Sequence, residues 1–468
     1  MSLELKDSQY IDGIPNTDCI IEDDLRKTSL YCQAVDKLNK EIKEKKVEFF
    51  SLGGKKQELE EALIWYTIES TEARYSNAVV NKAQFYTSHY VGFYSTKIDN
   101  NEIDIVIKPR FGDNIFNYLI SYAYGIYLPK GFSSSSDSKA DSLWLISLMW
   151  KATLQKAMTK SQIPKEYQKF QKNLSTYRGQ LNISQHIKYN LFNKSKFYCN
   201  YRKLTMDTTI NQTICQTYKI LKKRGYGNLL NDVAEYITML QSFGVQVKEV
   251  NLKSIANIRY SKLNIYYKKV MELSSLILKS ESKSSDKIST NSDSFSYFLD
   301  IAELWENYLL KVLQKYLPNF NIYSPNERGG ISLFADESRE IRPDIIIEKN
   351  GKVIAILDAK YKWYSKIGKY ANEANAVSRD DLYQMSTYLY HYGKDSEKII
   401  GLFISPIEQE GIDLKILKNN KNHKIGVLNL NITQFDKDED DNFSLESINQ
   451  EEKNFINKIK KELQYDPL

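Results

Sequence analysis

Residues 341–362, IRPDIIIEKNGKVIAILDAKYK, constrain the fold more than any other stretch of this 468-residue chain. Two apolar runs flank an Asn350-Gly351 pair, and charged residues gather at the far ends. Asn-Gly between apolar runs is a strong hairpin signal, because both residues tolerate the positive φ of a tight turn. Ile345, Ile346 and Ile347 are consecutive, as are the five apolar residues 353–357. Strands that are apolar at every position, not at alternate ones, are covered on both faces. The hairpin therefore belongs to the interior of an α/β domain.

Its ends carry the chemistry. Asp344 opens the first run, and Asp358 and Lys360 close the second. Residues two apart on a strand share a face, so Asp358 and Lys360 do. Whether Asp344 joins them is a matter of parity. A two-residue turn at Asn350-Gly351 pairs Asp344 with Leu357, on the wrong face. A three-residue loop, Lys349-Asn350-Gly351 with Gly351 left-handed, pairs Glu348 with Lys352. Asp344 then lies opposite Ile356 and diagonal to Asp358. The chemistry requires the longer turn, or a bulge if the turn is tight.

Two carboxylates and a lysine on one face suit metal-dependent phosphodiester hydrolysis. Mg²⁺ takes oxygen ligands, few of them carboxylates, and keeps water and phosphate in its other positions. It activates water and neutralises charge in the transition state. Asp344 and Asp358 are the expected ligands, with Mn²⁺ as a substitute ion. Lys360 is placed to stabilise developing charge or orient the attacking water. An upstream helix over 295–316 offers Glu306 as a third acid and metal ligand. Glu303, three residues earlier, is on nearly the same side. Glu306 is preferred because it lies between Trp305 and Tyr308, in the more apolar part. A later helix over 378–392 has Ser378 as N-cap and Asp380 and Asp381 in its first turn, where they suit the helix dipole. It carries Gln384 and Tyr388 at i, i+4, so both face the hairpin. Gln384 suits the attacking water, a metal ligand or a phosphate; Tyr388 suits support or simple core packing. A lone Asp-x-Lys marks an ordinary strand end as often as a site. The conjunction with Pro343-Asp344, a glutamate helix and a Gln-xxx-Tyr helix carries the reading.

The rest of the chain is globular in composition, 42% hydrophobic and 26% charged, and long enough for two or three domains. No apolar run reaches the length of a membrane span, and MSLELKDSQY lacks a secretory pattern. Cys19, Cys32, Cys199 and Cys215 form no Cys-x-x-Cys pair, which argues against zinc and for reduced thiols in the cytoplasm. The net charge of +6 is compatible with a polyanion partner. The 34 tyrosines reflect a compositional bias more readily than a stacking surface. No Walker-type phosphate loop is present, so the chain has no nucleotide site of its own.

In order, residues 1–125 read as a mixed, β-containing module. It has a helix over 25–46, a helical stretch over 58–76, and strands over 47–51, 85–95 and 102–108. Residues 126–290 read as a mainly helical middle region, with a Ser-rich loop at 133–138 and a polar linker over 280–294. The Trp-bearing helix at 143–158 reads as core. Residues 291–435 read as the catalytic domain, and 436–468 as an acidic and helical tail. The fold class is α/β multidomain.

At these residues the chain resembles the McrC family, the nuclease subunits of modification-dependent restriction systems. The resemblance rests on Arg342-Pro343-Asp344, Leu357-Asp358-Ala359-Lys360-Tyr361-Lys362, Asp381-Leu382-Tyr383-Gln384-Met385 and Leu304-Trp305-Glu306-Asn307-Tyr308. The Gln384-xxx-Tyr388 pair is similar to the helix motif of RecB-type nucleases. Weaker likeness covers Tyr90-Val91-Gly92, Ile105-Val106-Ile107-Lys108-Pro109, Tyr177-Arg178-Gly179-Gln180-Leu181 and Asp207-Thr208-Thr209-Ile210-Asn211. The resemblance implies a C-terminal PD-(D/E)xK restriction-endonuclease-like α/β core. Its catalytic set would be Asp344, Asp358, Lys360, Glu306 and Gln384, with Tyr388 and Arg342 in support. It also implies DNA as substrate and docking, through the region before the nuclease domain, on a McrB-like AAA+ GTPase hexamer that the chain stimulates. Two other readings stand beside it: a non-cleaving subunit that only activates the motor, and a free-standing RecB-like repair nuclease.

Overall fold

The computed structural model describes residues 1–7, 20–21, 25–47, 49–50, 62–72, 79–99, 101–124, 138–284, 294–368, 375–394, 396, 398–407, 412–418, 420–433 and 445–464. The Ser-rich stretch 133–137, most of the 280–294 linker and the acidic run 436–441 lie outside the described residues. The chain divides into two compact units. One joins Met1–Leu128 to Ser292–Leu468; the other is Pro129–Asn291.

The first unit contains a five-stranded sheet in the order Ser2–Lys6, Asn101–Lys108, Tyr90–Ile98, Ser294–Asp300, Phe49–Phe50. The fourth strand corrects the sequence reading, which has one helix over 295–316. SFSYFLD instead pairs antiparallel with Tyr90–Ile98, from Ser294 opposite Thr96 to Asp300 opposite Tyr90. Phe295, Tyr297 and Leu299 alternate with Ser294 and Ser296, a period of two. The helix Ile301–Tyr316 begins only where Asp300 caps it by accepting from the Glu303 amide. The segments 1–125 and 291–435 therefore share one unit, through a common sheet, and do not stand apart. A second correction concerns 58–76, read as helical. Its described part, Ile64–Glu72, is a strand antiparallel to Val79–Thr87. Ile64-Trp65-Tyr66-Thr67-Ile68 is β-branched and aromatic throughout, which fits a pleated surface better than a helix.

The same unit holds a six-stranded sheet. Its order is Asn321–Tyr323, Ile345–Lys349, Lys352–Ala359, Ile400–Ile404, Asn420–Val427, Asp413–Leu417. Lys352–Ala359, Ile400–Ile404 and Asn420–Val427 run parallel, and the outer pairings are antiparallel. Ile345, Ile346, Ile347, Ala355, Ile356 and Leu357 are all buried, as strands covered on both faces must be. The helix Ile301–Tyr316 is anchored to the sheet by fully buried Trp305, whose indole donates to the Ile404 carbonyl at 3.2 Å. Burying such a side chain contributes about 2–3 kcal/mol. The helix Arg379–Tyr392 crosses Gly401, where a Cβ would lie 2.6 Å from the Met385 sulfur. Glycine there lets helix and sheet approach closely. The helix Leu445–Gln464 buries Glu452, which accepts from the Tyr118 and Tyr308 hydroxyls at 2.7 and 3.0 Å.

The second unit has the helices Ser138–Lys160, Thr209–Leu221, Asn231–Ser242 and Tyr267–Ser284 around a core that includes Trp150, Ile214, Leu240 and Leu273. The Trp150 indole donates to Ser274 at 2.8 Å. The unit, expected to be mainly helical, also holds a sheet. Glu166–Leu174, Phe197–Thr205 and Gln180–Leu181 form a three-stranded antiparallel sheet. Among the described residues no helix is long and apolar enough to cross a membrane. Cys32, Cys199 and Cys215 are free, buried thiols; Cys19 lies outside the described residues.

Candidate active site

The hairpin settles its parity in a way that the longer turn does not describe. Asn350 and Gly351 have φ of 52° and 76°, a tight two-residue turn, with Lys349 paired to Lys352. The expected three-residue loop is absent. Glu348 pairs with Val353, but Ile347 pairs with Ala355, so Ile354 is an extra residue, a β-bulge. The bulge shifts the remaining pairs by one. Ile345 lies opposite Leu357, so Asp344 comes opposite Asp358 and not Ile356. Directly opposed residues share a face. The Asp344 Oδ2 accepts from the Ala359 amide at 2.8 Å, which fixes the strand end beside its partner.

The electrostatics follow from this crowding of charge. Burial raises the Asp344 carboxyl well above the usual carboxylate range; Glu306, Asp358 and a hydrogen bond with Asp358 push it the same way, against Lys360. Glu306 thus acts on Asp344, whereas the charge of Glu303 is felt by Tyr90. Burial alone would depress the Lys360 ammonium, but Asp358, Asp381 and Asp344 outweigh it and keep the group protonated. Its Nζ lies 3.1 Å from Asp358 Oδ1, 2.9 Å from Asp381 Oδ1 and 3.3 Å from Gln384 Oε1. Five sequence-predicted residues, Asp344, Asp358, Lys360, Glu306 and Gln384, are therefore linked by contact or charge.

Tyr388 is buried, and its hydroxyl donates to the Arg342 carbonyl at 3.4 Å. Burial raises its pKa, and Asp358 and Asp344 add to the rise. It holds the backbone leading into Asp344. The Arg342 guanidinium itself is engaged by Glu340, at 2.5 and 2.7 Å.

Two features escaped the sequence reading. In the sequence Asp381 reads as a first-turn acid and as part of the 381–385 motif, with no contact to Lys360 implied. Its Oδ2 accepts from Ser378 Oγ at 2.7 Å, from the Tyr364 hydroxyl and from Lys362 at 3.4 Å. Burial would raise its pKa, but Lys360, Tyr364, Ser378 and Lys362 hold it well below the usual carboxylate range. The signal was present: Asp381 is three residues after the cap Ser378, so the two bond reciprocally. The second feature is Arg110, just after the strand Asn101–Lys108. Its amide donates to Asp7 at 2.5 Å, its Nη2 donates to the Tyr361 carbonyl at 3.1 Å, and its guanidinium stacks 4.1 Å from the Tyr361 ring. The N-terminal sheet thus grips the residue next to Lys360. No local pattern links positions 110 and 361.

The donor set fits a hydrated divalent ion. Asp358 Oδ2 is buried with no hydrogen-bond donor, and Asp344 stands opposite it. Among the described residues no group of three or more His, Cys, Asp or Glu is placed to hold a metal ion, so the pair Asp344 and Asp358 is what the site offers one. A pair of carboxylates with room for water suits an oxygen-preferring divalent ion such as Mg²⁺.

A chain in the half-complex from a tetradecameric assembly of Thermococcus gammatolerans McrB AAA+ hexamers with bound McrC shares this fold. It aligns over 98% of this chain and 100% of its own length, with a TM-score of 0.56 and 17% identity. A chain of the Thermococcus gammatolerans McrBC complex aligns over 67% of this chain and 87% of its own, with a TM-score of 0.36 and 17% identity. No curated protein matches. The family model described as McrBC 5-methylcytosine restriction system component matches residues 85–404, more than half of the sequence and all of the site. This chain belongs to that family.

Proposed function

We propose that the chain is the Mg²⁺-dependent DNA endonuclease subunit of a modification-dependent restriction complex. The observation that carries this reading is the bulge at Ile354, which brings Asp344 opposite Asp358 and beside Lys360. Asp344 and Asp358 would hold the ion, with Glu306 as the third acid. When bound, the ion supplies an activated water and neutralises charge on the phosphate. The protonated Lys360 faces the negative charge that develops at phosphorus. Gln384 accepts from Lys360 and keeps its amide nitrogen to donate to phosphate or water. Tyr388 fixes the Pro343-Asp344 backbone through the Arg342 carbonyl. We read this arrangement of acids and lysine, on a mixed sheet with helices packed against it, as a PD-(D/E)xK core.

In this reading the chain docks on a McrB-like AAA+ GTPase hexamer, through the region before the nuclease domain, and stimulates it. Family membership supports the partner, as does the presence of McrB hexamers with bound McrC in the Thermococcus gammatolerans assembly. So does an apolar surface in the second unit. Ile183, Ile187, Tyr189 and Leu191 are exposed there, and Phe192 is 97% exposed. Contiguous exposed apolar residues mark interaction sites. DNA is the substrate, and Mn²⁺ substitutes for Mg²⁺.

Asp358→Ala tests the site. The variant is expected to lose DNA cleavage by about 10³-fold or more, while partner binding and NTPase stimulation persist. Cleavage at the wild-type rate with Mg²⁺ overturns the assignment.

A further inference from the structure

We propose that Asp381 is a positioning residue, holding the Lys360 ammonium at the reacting phosphate once Asp358 is committed to the metal ion. The proposal rests on the nuclease reading above. Lys360 Nζ has three oxygen partners: Asp381 at 2.9 Å, Asp358 at 3.1 Å and Gln384 at 3.3 Å. A divalent ion on Asp358 consumes that carboxylate's charge and repels the ammonium beside it. The neutral Gln384 amide is the weaker of the two remaining anchors. Asp381 supplies the full charge that keeps the lysine in place.

The carboxylate is built for this division of labour. Its Oδ2 takes the bracing contacts, from Ser378, Tyr364 and Lys362, and its Oδ1 is turned to Lys360. Tyr364 is itself buried, edge-on to Phe403. Capping does not explain the arrangement. Ser378 is already the cap, accepting from the Asp381 amide at 3.2 Å, and the Oδ1 contact with Lys360 adds nothing to the helix end.

The test is Asp381→Asn, which keeps the shape and removes the charge, in the full chain assembled with its NTPase partner. The single-turnover cleavage rate is expected to fall about 10–100-fold, with DNA affinity unchanged. Combined with Lys360→Met, it should add no further loss, because both act on one group. Crystals of Asp381→Asn soaked in Mn²⁺ should show Lys360 Nζ displaced from residues 358 and 384. A rate within about twofold of wild type, or an additive loss in the double variant, overturns the proposal. So does a lysine that stays in place in the soaked crystals, which decides the matter without reference to cleavage. Failure of the nuclease reading shows separately, in a wild-type protein that does not cut or an Asp358→Ala variant that does.

Discussion

Two antiparallel strand pairs in this chain differ in almost everything but their pairing. Ile345–Lys349 with Lys352–Ala359 is buried on both faces and ends in charged residues. Glu166–Leu174 with Phe197–Thr205 keeps nine pairs in unbroken register, yet of those eighteen residues only Cys199 is buried. Its cohesion is lateral: Phe170 stacks on its cross-strand partner Tyr201 at 5.6 Å, and Arg178 sits 4.8 Å from the Tyr201 ring. The first pair is apolar because helices cover it. The second is polar because the short helix Ile183–Asn190 covers it only in part, Tyr189 stacking on Tyr198 and His186 on Phe197, while Tyr167 stays exposed. Hydrophobic patterning reports burial before it reports backbone conformation. The covered pair was therefore legible and the partly covered one was not.

Deleting one residue from the covered pair sharpens the contrast most. Loss of Ile346 would carry Asp344 back opposite Leu357 and abolish cleavage, since a one-residue slip turns a side chain to the other face. Loss of the bulged Ile354 would leave Asp344 opposite Asp358 and cleavage retained, at a stability cost of about 1 kcal/mol where Glu348 contacts change. Gel cleavage assays and thermal melts on the two deletions distinguish these outcomes. Equal loss in both would mean that the bulge does not set the site. In the partly covered region, Phe192→Ser should change stability by less than about 0.5 kcal/mol. Partner affinity should fall about tenfold or more, as expected of an aromatic anchor. Unchanged affinity in a binding titration would move the docking surface elsewhere.

The grouping of the candidate side chains was more legible than the fold around it. Asp344, Asp358, Lys360, Glu306 and Gln384 could be gathered from strand parity and helix spacing, because each sits on a regular element. The bulge could be posed only as an alternative to a longer turn, since Ile354 differs in no chemical way from its neighbours. Strand Ser294–Asp300 was hidden because the single polar residue Asp300 is all that separates its apolar residues from the apolar helix Ile301–Tyr316, and because its partner lies some two hundred residues earlier. For the same reason Arg110 and Tyr361 could not be joined: their contact depends on two sheets meeting in one unit, and local periodicity carries no record of that.

The central claim is that a tight turn and a bulge build a two-carboxylate metal site. Anomalous scattering from a Mn²⁺-soaked crystal of the full chain measures it directly. The account expects a peak within about 2.0–2.3 Å of one oxygen each of Asp344 and Asp358. A bound Mn²⁺ located away from that pair would contradict it.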